Sequence, residues 1–127
     1  MYLDADLIYA LIKKKDRHEE LAEKILSEEG KFYTSIVTLL ELEIIVKREL
    51  SDELSMEILG LVKKKIPALT IKALDSNIMQ SSLNLRKKYG LGIFDSIHAA
   101  TALANDKKIA STDRIYDRIP SLKRISK

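Results

Sequence analysis

The chain has 127 residues, 46% hydrophobic and 32% charged, with two prolines and four glycines; this composition supports one helix-rich domain with a real core and excludes a disordered chain. It has no cysteine and only two histidines, His18 and His98, which excludes disulfides, cysteine zinc sites and histidine-rich metal centres, and no apolar run approaches the roughly 18 residues of a membrane span. The net charge of +3 is uneven, since residues 107–127 hold seven Lys and Arg against Asp113 and Asp117, a basic end able to attract a polyanion.

In chain order, "MYLD" reads as a short strand and "ADLIYALIKKK" as a helix, with Leu7, Ile8, Leu11 and Ile12 on one stripe. The acids in this first segment are unlike the basic start of an export signal, so a cytoplasmic location is expected. "DRHEELAEKILSEEG" repeats the helical period and is expected to stop at Gly30. "KFYT" is a strand, and Thr34 or Ser35 caps the long helix "IVTLLELEIIVKREL". Ser51 caps a single helix over "DELSMEILGLVKKK", and "IPALTI" is rich in β-formers. Asp75 or Ser76 caps "DSNIMQSSLNLRKKYG", which ends at Gly90. The Ala-rich helix "GIFDSIHAATALAND", a strand "KIAS", a polar turn and a last strand "LKRI" complete the chain. Alternating strands and helices predict an α/β domain over residues 1–127, three layers with a central, mostly parallel sheet flanked by helices.

Open parallel sheets bind ligands beyond the carboxyl ends of their strands, and four carboxylates fall at such places. Asp4 ends the first strand, Glu41 lies in the second turn of the helix after "KFYT", Asp95 opens the Ala-rich helix, and Asp113 follows "KIAS". Singly, each has an ordinary reading. Asp95 is a cap or dipole partner, Asp4 and Asp113 are strand-end turn acids, and Arg48 pairs Glu41 from two turns on. Gathered in one cleft they would raise one another's pKa values, a penalty that a divalent cation removes; oxygen donors select hard ions such as Mg²⁺ or Mn²⁺.

Four local patterns taken together, "YLD", "SIVTLLE" with Ser35 and Glu41, "FDSIHAATAL" with Asp95, and "STDRIY" with Asp113, resemble the PIN-domain ribonucleases of the VapC toxin type. The resemblance covers essentially the whole chain and implies a single PIN-like domain, residues 1–127. It implies an Mg²⁺- or Mn²⁺-dependent endoribonuclease that hydrolyses RNA to leave a 5′-phosphate, a cognate antitoxin partner and a homodimer. Asp4 and Asp95 are expected as primary metal ligands, with Glu41 and Asp113 as inner- or outer-sphere partners. The chain departs from the family at Ala5 and Asp6, where Thr or Ser and then Asn are common, so Asp6 adds a fifth acid. Rival readings are a PIN-fold RNA-processing nuclease without an antitoxin, and a non-catalytic RNA- or protein-binding module; the retained quartet argues against the module.

Other polar residues read as structural. Asp6 is most simply the N-cap of the first helix, Asp117 belongs to a turn, and His98 is a hydrogen-bonded helix residue rather than a base. Ser111 and Thr112 are expected to donate to a neighbouring carboxylate or phosphate, and Asp106 lies too far along its helix from Asp95 to share a metal. Lys13, Lys14 and Lys15 are helix-end charges first and nucleic-acid contacts second. The helix carrying Glu41 is apolar nearly all round, more than one sheet face needs, which favours a second buried surface in a homodimer.

Overall fold

The computed structural model describes residues 1–127. The strands are short: β1 (Tyr2–Leu3), β2 (Tyr33–Ser35), β3 (Thr70–Lys72), β4 (Lys108–Ala110) and β5 (Lys123–Ile125). They form one sheet in the order β3-β2-β1-β4-β5, and all four pairings are parallel. The sheet is thus wholly rather than mostly parallel. Helices α1 (Ala5–Ile12), α2 (Glu19–Ser27), α3 (Ile36–Glu49), α4 (Asp52–Met56), α5 (Ile58–Lys65), α6 (Ser76–Tyr89) and α7 (Ile93–Leu103) make the crossovers. A 3-10 helix, Arg114–Arg118, stands where the sequence suggests only a polar turn. No helix is long and apolar enough to cross a membrane.

The two-residue period of a strand sorts the core into two halves. Tyr2 and Ile109 point to one face, where they meet Ala99 and Ala102 of α7 with Tyr116 and Ile119. Their neighbours Leu3 and Ala110 point to the other, against Ile8 of α1, Ile25 of α2, Leu42 and Val46 of α3 and Val62 of α5. Both sheet faces are covered, which is why the strands are apolar without clean alternation. Ala99 and Ala102 are fully buried in this core; their small side chains let α7 lie close to β1 and β4.

Local capping agrees with the sequence at most ends. Ser35 caps α3 by accepting from the Val37 amide at 3.0 Å, Ser51 caps α4, Asp75 caps α6, and Gly90 ends α6 at φ 68°. Two expectations fail. Helix α2 stops at Ser27, whose hydroxyl turns back to the Lys24 carbonyl, with Gly30 beyond the cap at φ 146°. The segment after Ser51 is two helices, because the Glu57 amide closes early on the Leu54 carbonyl at 3.1 Å. The apolar spacing of Leu54, Ile58 and Val62 runs through the break, so periodicity cannot reveal it.

Strand order reverses at β1: the chain first builds outward through β2 and β3, then returns to add β4 on the other side. The carboxyl ends of β1 and β4 therefore border the crevice that such a switch creates.

Candidate functional site

That crevice is a cleft of about 440 Å³ lined by Asp4, Asp6, Glu41, Asp95 and Asp113, with Ala5, Tyr9, Ile45 and Thr112. All four carboxylates expected from the sequence are brought together, and Asp6 joins them. No Lys or Arg lines the cleft.

Asp4 lies deepest, at 6% exposure. It, not Asp6, is the N-cap of α1, with Oδ1 accepting from the Ala5 amide at 2.8 Å. Its Oδ2 accepts from the Ser111 hydroxyl at 2.6 Å, and the same hydroxyl accepts from the Asp113 amide at 3.0 Å. Ser111 thereby locks the end of β4 to the end of β1. Burial pushes the Asp4 carboxyl up to about 7, against the pull of His98, and the charge of Asp6 adds to the rise.

Asp6 is turned toward Thr112, whose amide (2.9 Å) and hydroxyl both donate to its Oδ2, while its Oδ1 takes the Leu7 amide at 2.8 Å. The expectation of Asp6 as helix cap is corrected: the strand ends two residues earlier than a cap at Asp6 requires, so Asp4 takes that position.

Half-buried Asp95 makes no cap, since α7 is capped by Gly92 without a side-chain bond. Its Oδ1 accepts a long bond from the Tyr116 hydroxyl at 3.3 Å. Burial raises its pKa, and the negative charges of Asp113 and Glu41 push in the same direction. Asp113 is the exposed member and caps the 3-10 helix through the Ile115 amide at 3.0 Å.

Glu41 does not pair with Arg48, which instead meets Glu49 at 3.2 Å. Its partner is His98 Nε2 at 3.2 Å, and the same nitrogen lies 3.9 Å from Asp4 Oδ1. A carboxylate only accepts, so Nε2 carries the proton and donates to Glu41. On the far side of the ring, Nδ1 is 2.6 Å from the Tyr2 hydroxyl, which is 2.8 Å from Thr38 Oγ1. Burial alone would lower the His98 pKa; the bond to Glu41 and the charges of Asp4, Glu41 and Asp95 outweigh burial and raise it. His98 is thus a hydrogen-bonded helix residue, and it also belongs to the site. Asp4, Glu41 and His98 each offer a donor atom, all within 4.8 Å of one another. The available signal was spacing: His98 is three residues after Asp95 and shares its helix face.

Two further residues support the cleft from outside. Arg124 binds Asp117 through Nε (2.9 Å) and Nη2 (3.1 Å), and its Nη1 donates to the Ser111 carbonyl at 3.2 Å. Asp117 is therefore the anchor of that arginine and does not line the cleft. Asp106 lies at the opposite edge of the sheet, bound to the Met1 ammonium at 2.6 Å and to the Tyr33 hydroxyl. Lys107, Lys108 and Lys123 stand at the amino ends of β4 and β5, away from the acids, so these three basic residues do not border the cleft.

A divalent cation fits this set of donors. Five carboxylates share one cleft without a Lys or Arg; burial raises the pKa of Asp4 and Asp95, and neighbouring negative charge adds to the rise, chiefly at Asp95. A hard cation relieves both costs.

The comparisons agree with the geometry. No curated protein matches the chain in sequence. Among solved structures, VapC20 of Mycobacterium tuberculosis, described as a sarcin-ricin loop cleaving toxin, superposes with a TM-score of 0.78 at 11% identity, covering 91% of this chain and 92% of that one. A chain of VapBC2 from Rickettsia felis, bound to a promoter DNA fragment, gives 0.75 at 18% identity, with 98% and 96% covered. DNA-bound VapBC from Salmonella typhimurium gives 0.74 at 22%, with 98% and 95% covered. These likenesses share the fold, and the family model for the PIN domain matches residues 1–122: the chain belongs to the PIN-domain family.

Proposed function

We propose that the chain is an Mg²⁺- or Mn²⁺-dependent endoribonuclease, one catalytic PIN domain over residues 1–127, acting as the toxin of a toxin–antitoxin pair. The observation that carries the reading is the convergence of Asp4, Glu41, Asp95 and Asp113, with Asp6, at the switch between β1 and β4. The similarity of the fold to VapC20 and to chains of VapBC complexes supports the toxin assignment and the antitoxin partner.

In this reading Asp4 and Asp95 hold the cation, with Glu41 and Asp113 completing its surroundings. The cation would supply Lewis acidity toward a phosphodiester and make a bound water more acidic than bulk water. Ser111 keeps Asp4 and Asp113 in register, Tyr116 orients Asp95, and His98 orients Glu41. The reading includes a homodimer, supported by Ile36, Leu40 and Ile44 on α3, which are 47%, 50% and 47% exposed along one stripe.

The test is incubation of a mixed single-stranded RNA pool with and without Mn²⁺, followed by mapping of the product ends. Internal cuts with 5′-phosphates that require the cation and vanish in Asp95→Asn support the reading. Absence of cleavage, or equal cleavage by Asp95→Asn, overturns it.

A further inference from the structure

Beside the acid cleft lies a second cavity of about 480 Å³. The two share Asp6, Tyr9 and Thr112 as a common wall. Lys13, Lys15 and Arg17, on the loop from α1 to α2, contribute to its lining, and none of the three is paired with a carboxylate. The carboxylates present are already occupied: Asp16 accepts from the His18 amide at 2.9 Å, and Asp6 is bonded to Leu7 and Thr112. Lys15 sits at φ 61°, left-handed backbone that a lysine adopts at a cost and only where the surroundings impose it.

The geometry points to an anion subsite here: Lys13, Lys15 and Arg17 hold a backbone phosphate of the RNA strand adjoining the phosphodiester in the acid cleft. The inference rests on the ribonuclease reading and deepens it. No Lys or Arg lines the acid cleft, so beyond the phosphodiester that meets the metal, a polyanionic strand needs neighbouring basic side chains. This cavity is contiguous with the cleft, whereas Lys107, Lys108 and Lys123 stand at the amino ends of β4 and β5 and Arg124 is tied to Asp117. Arginine and lysine donors around one phosphate are the ordinary means of fixing a strand without reading its bases.

The test uses Asp95→Asn as the parent, so that RNA is bound but not cut, and a short mixed-sequence single-stranded RNA as probe. Affinity is measured over a range of salt concentrations. Changing Lys13, Lys15 and Arg17 together to Gln is expected to lower affinity at least tenfold and to reduce the salt slope by about 0.7, the value for one single-strand phosphate contact. Changing Lys63, Lys64 and Lys65 of α5 to Gln is expected to leave the slope unchanged. Binding by the parent with an unaltered slope in the Lys13/Lys15/Arg17 variant, or an equal loss in the α5 variant, overturns the subsite alone. No RNA binding by the parent overturns the ribonuclease reading, and the subsite with it.

Discussion

Asp4 and Asp95 are held protonated more readily than ordinary carboxylates, both by burial first; for Asp95 the charge of Asp113 adds to it, whereas for Asp4 His98 works against it. Replacing either by Asn removes a charge that the metal-free fold disfavours. Asp95→Asn is therefore expected to raise the urea midpoint of the metal-free protein at pH 8 while abolishing cleavage; a lowered midpoint would mean that the carboxylate is a structural necessity. His98 behaves oppositely. It is fully buried, and Ala in its place leaves a void, removes the partner of Glu41 and leaves the Tyr2 hydroxyl with Thr38 alone. His98→Ala is expected to cost about 2–4 kcal/mol in urea unfolding, and His98→Gln, which keeps a donor, to recover part of it. Undiminished stability in the Ala variant would show that the Tyr2–His98–Glu41 chain carries no weight. The four acids of the quartet were legible because motif order places them at strand ends and helix beginnings. The partners of His98 were not, because Tyr2 comes from β1 and Thr38 and Glu41 from α3, two segments whose approach to α7 depends on the sheet order.

At the scale of elements, all five strands and most caps are readable from local chemistry: Ser35, Ser51 and Asp75 are side-chain acceptors at helix starts. What escapes is whatever depends on backbone geometry without a change in apolar spacing, as at Glu57, or on long-range pairing, as with Arg124 and Asp117. Helix α3 shows why a sequence pattern can be right about excess without naming its cover. Its inner face carries Leu39, Leu42 and Val46 at 4% exposure or less, while Ile36, Leu40 and Ile44 lie open on another side. A second copy of the chain covering that stripe needs roughly 800 Å² from each partner for a stable dimer. A charge in the middle of the stripe is hard to bury unpaired. Leu40→Glu is accordingly expected to shift the sedimentation mass from dimer to monomer without unfolding the chain. A wild-type protein that sediments as a monomer at all concentrations overturns the dimer.

For the whole molecule, the acid cleft is expected to couple stability to pH and, in the reading proposed above, to divalent cations. The folded-state pKa of Asp4 is raised from 3.8 to about 7, and those of Asp95 and His98 are also raised. Where the folded state binds more protons than the unfolded chain, stability falls as pH rises. All three groups act with that sign: their contribution is complete below the unfolded pKa and is lost as pH climbs through the folded one. The lowered pKa values of Asp106 and Asp117 act with the opposite sign, but their window lies below about pH 4, the model carboxylate range. Metal-free protein is therefore expected to lose stability between pH 4 and 8, by up to about 4 kcal/mol from Asp4 if the full shift is expressed. A cation that binds only the folded, ionised cleft reverses this, by about 2.7 kcal/mol at one hundred times its dissociation constant. Urea unfolding at pH 5 and pH 8, each with chelator and with saturating Mg²⁺ or Mn²⁺, separates the two terms. The expected pattern is a fall in stability from pH 5 to pH 8 in chelator that the cation largely cancels, with little cation effect at pH 5, where Asp4 keeps its proton. Stability in chelator that is flat or rises over this range would show that the carboxylates do not repel one another in the fold. A fall that no divalent cation offsets would show that the cleft is acidic for some purpose other than holding a metal.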